Sequence, residues 1–258
     1  MADGPKLAEL EARLAAVRRE TIESFEPRAR ALRAAAERLA GDPGARNEIR
    51  RLAHRVRGVA GSAGHPELSE LSARLEEAAA AASDLALAEG ARRLAGALEG
   101  AGRVAAPRLV RSADDGERAK RIAAPAGDPS ADAPLGLRVV ALDDDATTRR
   151  LLELTLVAIG RCDATVLSAA PEALERLRAG GVELVIVDAM MPEVSGLEMY
   201  RAVRRAAGPD LPVAILSAAS PEELGWALPD DPKLTWLRKP FRPAALIAEL
   251  RAFVARAG

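Results

Sequence analysis

Residues 184–196 read LVIVDAMMPEVSG, and this stretch decides the fold of the second half of the chain. Four consecutive apolar residues lead into Asp188, without the alternation of polar and apolar positions that a half-buried strand shows. An uninterrupted apolar strand is typical of a parallel sheet that is covered by helices on both faces. The stretch therefore predicts a buried central strand with one carboxylate at its carboxyl end.

Similar short, β-rich runs precede and follow this strand. They are LRVVAL (137–142), ATVLS (164–168), PVAILS (212–217) and LTWLR (234–238), with ELVIV (183–187) as the central one. Helical segments are expected to begin near Thr147, Pro171, Gly196, Ser220 and Pro243. Five strands that alternate with five helices predict a doubly wound parallel sheet over residues 137–258. Ligands of such sheets bind outside the carboxyl ends of the strands.

Several chemically active side chains follow these strands. They are Asp143, Asp144 and Asp145 after the first strand, Asp188 in the third, Ser217 in the fourth and Lys239 after the fifth. Clustered carboxylates repel one another unless one is protonated or a cation lies among them, and their hard oxygens suit Mg²⁺. One carboxylate could act as a nucleophile and form an acyl phosphate. The simpler alternative is that such a residue only caps the following helix, as Asp145 before ATTRRLLEL would do.

Taken together, residues 137–257 resemble the receiver domain of two-component response regulators, through VVALDDD, LVIVDAMMPEVSGLEM, PVAILSA and LRKPF in that order. The resemblance implies that Asp188 is the phosphoacceptor. It also implies that Asp143, Asp144, Asp188 and the backbone carbonyl of Met190 hold Mg²⁺. Ser217 would follow the phosphoryl group and Lys239 would pair with it, as the domain catalyses its own phosphorylation and dephosphorylation.

Two features depart from the receiver pattern. Trp236 stands three residues before Lys239, where the family usually has Tyr, Phe or His, and residues 220–233 carry prolines where a longer helix usually lies. We therefore expect phosphorylation to survive and the usual switch through Ser217 and Trp236 to be altered. A Mg²⁺-dependent phosphatase on a similar sheet is disfavoured, because such enzymes generally need a second Asp where this chain has Met190.

The first part of the chain, residues 1–101, predicts helices throughout, since apolar residues recur every three or four positions. Its first helix, residues 5–22, could extend a bundle, cover its side or mediate dimerisation. Residues 102–136 hold few large apolar side chains and predict a flexible linker with a typical span of roughly 30–35 Å. We therefore expect an all-α domain, a linker and an α/β domain over residues 137–258.

One of the two histidines lies in the stretch LAHRVRGVAGSAG, residues 52–64. On a helical wheel His54 lies about 200° from the apolar stripe that includes Leu52, so its imidazole is expected to be exposed. Arg50 and Arg57 would form a cationic rim that suits a phosphoryl group on the imidazole. Glycines such as Gly58 would let the active site of another protein approach closely.

This stretch resembles the histidine phosphotransfer (HPt) domain, in the run AHRVRGVAGSAG over residues 53–64. The resemblance covers about residues 25–101 and implies a four-helix bundle with His54 as the phosphoaccepting residue. His65 has no matching role and is interpreted as structural. A metal-binding role for His54 is disfavoured, because no second ligand lies three or four residues away.

The composition limits the cellular setting. The net charge of −1 gives no general attraction to nucleic acid, and the single cysteine, Cys162, fits a reducing compartment. No apolar run reaches the length of a membrane span and no export signal is evident, so we expect a cytoplasmic protein with no membrane insertion and no direct nucleic-acid contact.

These observations predict a phosphorelay protein in which His54 and Asp188 accept and pass on phosphoryl groups. No kinase region is evident, so the expected partners are a separate sensor histidine kinase and other receiver or HPt proteins, with a possible homodimer. The alternative is a phosphorylation-gated interaction regulator whose helical domain is a docking or dimerisation scaffold.

Overall fold

The structure is a computed structural model that describes residues 4–61, 63–103 and 135–257. Most of the expected linker, residues 104–134, lies outside the described residues. Residues 102 and 103, which the sequence assigned to that linker, instead form the end of the last helix of the first domain.

The first domain is all-α, as predicted. Its helices are α1 (Gly4–Glu23), α2 (Phe25–Arg38), α3 (Ala45–Ala60), α4 (Pro66–Ala81) and α5 (Asp84–Arg103). Pro66 opens α4, where its missing N–H costs nothing. Helices α2 to α5 share one apolar core, whose largest members are Phe25, Leu32, Ile49, Leu68, Leu87, Leu94 and Leu98. This arrangement is a four-helix bundle with α1 added to it.

The second domain contains a five-stranded, all-parallel sheet with the strand order β2-β1-β3-β4-β5. Its strands are β1 (Arg138–Leu142), β2 (Asp163–Leu167), β3 (Leu184–Asp188), β4 (Val213–Ser217) and β5 (Leu234–Arg238). Leu142 lies opposite Val187 in the register, and Asp188 lies opposite Leu216. The strands therefore end at nearly the same level, which brings the residues that follow them together.

Helices cover both faces of this sheet, and each face has its own apolar core. They are α6 (Ala146–Leu154), which continues as one π-helical turn over Thr155–Ile159, α7 (Ala170–Arg178), α8 (Gly196–Ala207) and α9 (Pro243–Ala257). The α/β class predicted from the sequence is confirmed.

The helix predicted near Ser220 was wrong. Residues 218–233 form bends, turns and irregular backbone between β4 and β5. Three prolines explain this, because proline lacks a backbone donor and disfavours helical geometry in the residue before it. Trp226 packs edge-to-face on Trp236, and Asp231 binds Arg204 and the hydroxyl of Tyr200, so this segment is fixed without a helix.

The added helix α1 contacts both domains. It packs beside α2 and α5 and also against α6 of the second domain. Glu20 Oε2 lies 3.8 Å from Arg150 Nε on α6. Of the roles that the sequence left open, α1 therefore covers the side of the bundle, and it also contacts the sheet domain. Among the described residues, none of the helices is long and apolar enough to cross a membrane.

Candidate active site

A buried lysine and two carboxylates meet at the carboxyl ends of the strands. Lys239 Nζ donates hydrogen bonds to Asp143 Oδ2 at 2.6 Å and to Asp188 Oδ1 at 2.7 Å. The second oxygen of Asp188 accepts from the backbone N–H of Met190 at 2.9 Å, and Asp143 Oδ1 accepts from the N–H of Asp145 at the same distance. Every oxygen of these two carboxylates is thus held in a defined position.

The surroundings shift the pKa values of these groups in different directions. Burial raises the pKa of Asp143 to about 7, and the charge of Asp188 adds to this, although Lys239 opposes it. Burial also acts on Asp188, but Lys239, His54 and the N–H of Met190 outweigh it and hold its pKa below the ordinary value. For Lys239, the two carboxylates outweigh burial and raise the pKa. Of the two, Asp188 is therefore the carboxylate that ionises more readily, as suits a nucleophile.

Of the three carboxylates Asp143, Asp144 and Asp188, Asp144 has the fewest hydrogen-bond partners. Its Oδ1 is buried without a hydrogen-bond partner, and its Oδ2 lies 3.5 Å from Arg55 Nε, which is a charge contact rather than a hydrogen bond. Burial raises the pKa of Asp144. An unpaired, buried carboxylate oxygen beside two further carboxylates fits Mg²⁺, which prefers oxygen ligands and keeps several waters. In the described part of the chain, no three acidic, His or Cys side chains already surround one point as metal ligands.

Ser217 and Trp236, the other residues expected at the phosphoryl group, both bind Ala219. Ser217 ends β4, is buried, and its Oγ accepts a hydrogen bond from the N–H of Ala219. The indole of Trp236 donates to the carbonyl of Ala219 at 3.2 Å. Ser217 and Trp236 are thus linked through one backbone segment, which is where the sequence expected a switch.

His54 corrects one expectation. The sequence predicted an exposed imidazole, but the side chain is 2% exposed. It is covered because α3 faces the second domain, whose position a helical wheel of α3 does not contain. A small cavity is lined jointly by His54, Arg55, Gly58, Asp143, Asp144, Asp145, Thr148, Asp188 and Lys239.

The imidazole has an acidic neighbour within its own domain. Nδ1 of His54 lies 2.7 Å from Glu76 Oε1 on α4, although the angles do not make a hydrogen bond. The other oxygen of Glu76 accepts from Arg57 Nη1 at 2.8 Å. A carboxylate beside Nδ1 favours a proton on that nitrogen and leaves Nε2 as the nucleophile. Glu76 was not identified from the sequence, because it is one of four glutamates on α4 and nothing in the pattern distinguishes it.

The arginines of the first domain are arranged differently from the expected rim. Arg57 is engaged by Glu76 and by Glu223 of the second domain, and Arg50 does not line the cavity. The arginines that reach the carboxylates are Arg55, near Asp144, and Arg28, whose Nη2 donates to Asp145 Oδ2 at 2.5 Å. Arg28 lies on a different helix, 26 positions before His54, so no local pattern could have identified it.

A stability measurement tests the buried carboxylates. Because the pKa of Asp143 is raised in the folded state, folding loses stability as the pH rises from about 4 to about 7. We expect Asp143→Asn, which cannot ionise, to raise the thermal unfolding temperature without added metal. The free energy of unfolding of this variant should exceed that of the native chain by about 1 kcal/mol or more at pH 8, and by less at pH 5. The exposed Asp163→Asn is the control, and an advantage of Asp143→Asn that is equal at both pH values would contradict the prediction.

The sheet domain carries a carboxylate nucleophile and a lysine at its strand ends, and the bundle brings a histidine to the same cavity. This combination defines a class, the two-component signalling proteins. Comparison with known families specifies the two parts. Residues 139–251 match the response regulator receiver domain, and residues 7–104 match the Hpt domain. The chain therefore contains an Hpt domain followed by a response-regulator receiver domain.

Individual relatives and solved structures each match a little under half of the chain. Response regulator MprA of Mycobacterium leprae is 32% identical over 120 residues, which are 46% of this chain and 52% of that protein. The chain thus spans about half the length of the curated relatives it matches. The structure of chemotaxis response regulator CheY4 of Vibrio cholerae is 27% identical, with a TM-score of 0.39, and covers 46% of this chain and 98% of that one. A receiver domain of a Pseudomonas aeruginosa sensor histidine kinase, described with magnesium in its active-site cleft, is 20% identical, with a TM-score of 0.40, and covers 46% and 98%.

Proposed function

We propose that this chain is a phosphorelay protein in which Asp188 and His54 each accept and pass on a phosphoryl group. The observation that carries the proposal is that both side chains line one small cavity, together with Lys239. A carboxylate nucleophile, an imidazole and a fixed ammonium are the groups that transfer and stabilise a phosphoryl group.

In the receiver, an oxygen of Asp188 attacks the phosphorus of a phosphodonor, an acyl phosphate forms, and the bond to the leaving group breaks. Lys239 holds the carboxylate in place beforehand and binds a phosphoryl oxygen afterwards. Asp143, Asp144, Asp188 and the carbonyl of Met190 would hold Mg²⁺, which neutralises charge on the phosphoryl oxygens when bound. Ser217 would donate to the phosphoryl group once its hydroxyl turns from Ala219.

In the Hpt domain, Nε2 of His54 is the nucleophile. Phosphorylation of Nε2 turns the ring into an imidazolium, because the proton on Nδ1 remains. Glu76 lies beside that nitrogen and stabilises the positive charge. A sensor histidine kinase, or another receiver or Hpt protein, would supply or remove the phosphoryl group in a cytoplasmic pathway.

The proposal is tested by labelling the full chain with ³²P-acetyl phosphate and Mg²⁺. We expect both base-labile aspartyl phosphate and acid-labile phosphohistidine. Asp188→Asn should prevent labelling by acetyl phosphate, because this donor phosphorylates the carboxylate. His54→Gln should leave only the aspartyl phosphate. If the native chain acquires neither linkage, from acetyl phosphate or from histidine-kinase donors, the proposal is wrong.

A second function is favoured by the contacts between the two domains, which a docking scaffold would also show. In that case the receiver is a phosphorylation-gated interaction module and His54 carries no phosphate. The same labelling separates the two functions: aspartyl phosphate without any phosphohistidine, with every donor, would support the scaffold.

Glu76 provides a sharper test of the relay. We expect Glu76→Gln to lower the rate of phosphohistidine formation about 10-fold or more, since the charge that stabilises the imidazolium is lost. Labelling of Asp188 by acetyl phosphate should not change. Glu77→Gln, at the next position of α4, is the matched control. Equal phosphohistidine formation in Glu76→Gln and the native chain would exclude this positioning role.

A further inference from the structure

The two domains fit closely at the glycines that follow His54. A Cβ at Gly58 would lie 3.2 Å from Lys239 Cδ, and a Cβ at Gly61 would lie 2.5 Å from Pro240 Cγ. Real Cβ contacts are not as short as the second distance. The glycines therefore leave the room that the receiver of the same chain needs to approach α3 at Lys239, the lysine that binds Asp188.

Opposite charges reinforce this fit. Arg28 binds Asp145 with both side chains largely buried, at 12% and 10% exposure. Arg55 lies near Asp144, and Arg57 Nη2 donates to Glu223 at 3.1 Å. In each pair the arginine belongs to the Hpt domain and the carboxylate to the receiver. Complementary charges of this kind select one partner and fix its register.

The contact also closes the site to other proteins. Asp188 is 3% exposed and Lys239 is 7% exposed, and His54 is buried with them. A partner's histidine cannot reach Asp188, nor can a partner's aspartate reach His54, while the two domains remain in contact. The histidine that lines the cavity with Asp188 is therefore the one in the same chain.

We infer that His54 and Asp188 of one chain exchange a phosphoryl group with each other, within this arrangement of the two domains. The inference rests on the proposed function and adds the identity of the exchange partner. Nε2 of His54 attacks the phosphorus of aspartyl phosphate, the N–P bond forms, and the bond between phosphorus and the Asp188 oxygen breaks. The released electron pair restores the carboxylate beside Lys239, and the proton on Nδ1 of the imidazolium faces Glu76.

Because both groups belong to one molecule, the exchange has a kinetic signature. Tethered groups meet at an effective concentration on the order of millimolar, whereas separate chains meet at their bulk concentration. The first-order rate constant for movement of label from Asp188 to His54 should therefore stay constant when the protein is diluted about 100-fold. Exchange between two copies of the chain would slow in proportion to the dilution.

The experiment uses the full-length chain, labelled with ³²P-acetyl phosphate and Mg²⁺ and freed of donor by desalting. The conversion of base-labile to acid-labile label is followed at several dilutions. In parallel, the His54→Gln chain labelled on Asp188 is mixed with unlabelled Asp188→Asn chain, so that only transfer between molecules can produce phosphohistidine. We expect a dilution-independent rate in the native chain and a rate at least about 10-fold lower in the mixture at micromolar concentration.

Two results would overturn the inference: a native rate that falls in proportion to dilution, or a mixture that transfers as fast as the native chain. Both would leave the proposed function standing, with a second copy as the exchange partner. If label never reaches His54 in either arrangement, the relay itself fails at the Hpt domain. If label never reaches Asp188, the proposed function fails at the receiver.

Discussion

Gly61→Leu is expected to reduce exchange between Asp188 and His54 by about 100-fold or more, while Asp188 still accepts phosphate from acetyl phosphate. A Cβ at this position already overlaps Pro240, at 2.5 Å from its Cγ, and the leucine side chain extends farther toward the receiver. Pro240 follows Lys239 directly, so it cannot move aside without moving the lysine. The domains must separate by more than an ångström, and misplacement on that scale costs about 100-fold in a positioned reaction.

The backbone of Gly61 makes this variant easy to interpret. Its φ of −63° and ψ of −37° are helical, so leucine introduces no backbone strain within the bundle. Gly96→Leu is the control, because this glycine is likewise helical in its backbone, within α5, but has open space around it. Gly61→Ala should give an intermediate loss. Native exchange in Gly61→Leu, with unchanged helix content, would show that the domains transfer phosphate in a different arrangement.

The sequence predicted the receiver more completely than the Hpt domain for a physical reason. The apolar strand over residues 184–187 and the side chains after each strand have positions set by the parallel register. Once that register is assumed, Asp143 and Asp188 must lie near each other. The same reasoning failed at residues 218–233, because the alternation of strands and helices was given more weight than the prolines, which exclude a helix there.

A helical wheel of α3 alone could not predict the contacts of His54. The wheel placed His54 away from the apolar stripe of α3, but it could not predict what covers the opposite face. Glu76 approaches from α4, and Arg28 comes from α2 to bind Asp145. Such contacts depend on how whole helices and domains pack, and charge alone does not distinguish these residues from the many similar ones on the surface.

Arg28→Glu is expected to lower the rate of exchange between Asp188 and His54 by about 100-fold. The Arg28–Asp145 pair is largely buried, and loss of one partner from such a pair costs about 3–5 kcal/mol because the other charge remains unpaired. Here a second carboxylate replaces the arginine, so the two domains also repel each other. Arg28 does not line the cavity that holds Asp188, so labelling of Asp188 by acetyl phosphate should persist.

The charge pattern allows a partial rescue that a misfolded bundle would not show. Asp145 Oδ1 caps α6 by accepting from the N–H of Thr148, and asparagine keeps this cap. Adding Asp145→Asn to Arg28→Glu removes the repulsion and leaves an amide that can donate to the carboxylate introduced on α2, so exchange should recover at least about 10-fold. Arg30→Glu, two residues along α2 and exposed, is the matched control and should exchange normally. If Arg28→Glu exchanges at the native rate in a dilution-independent manner, the Arg28–Asp145 contact does not hold the domains together, and the close fit at Gly61 must suffice on its own.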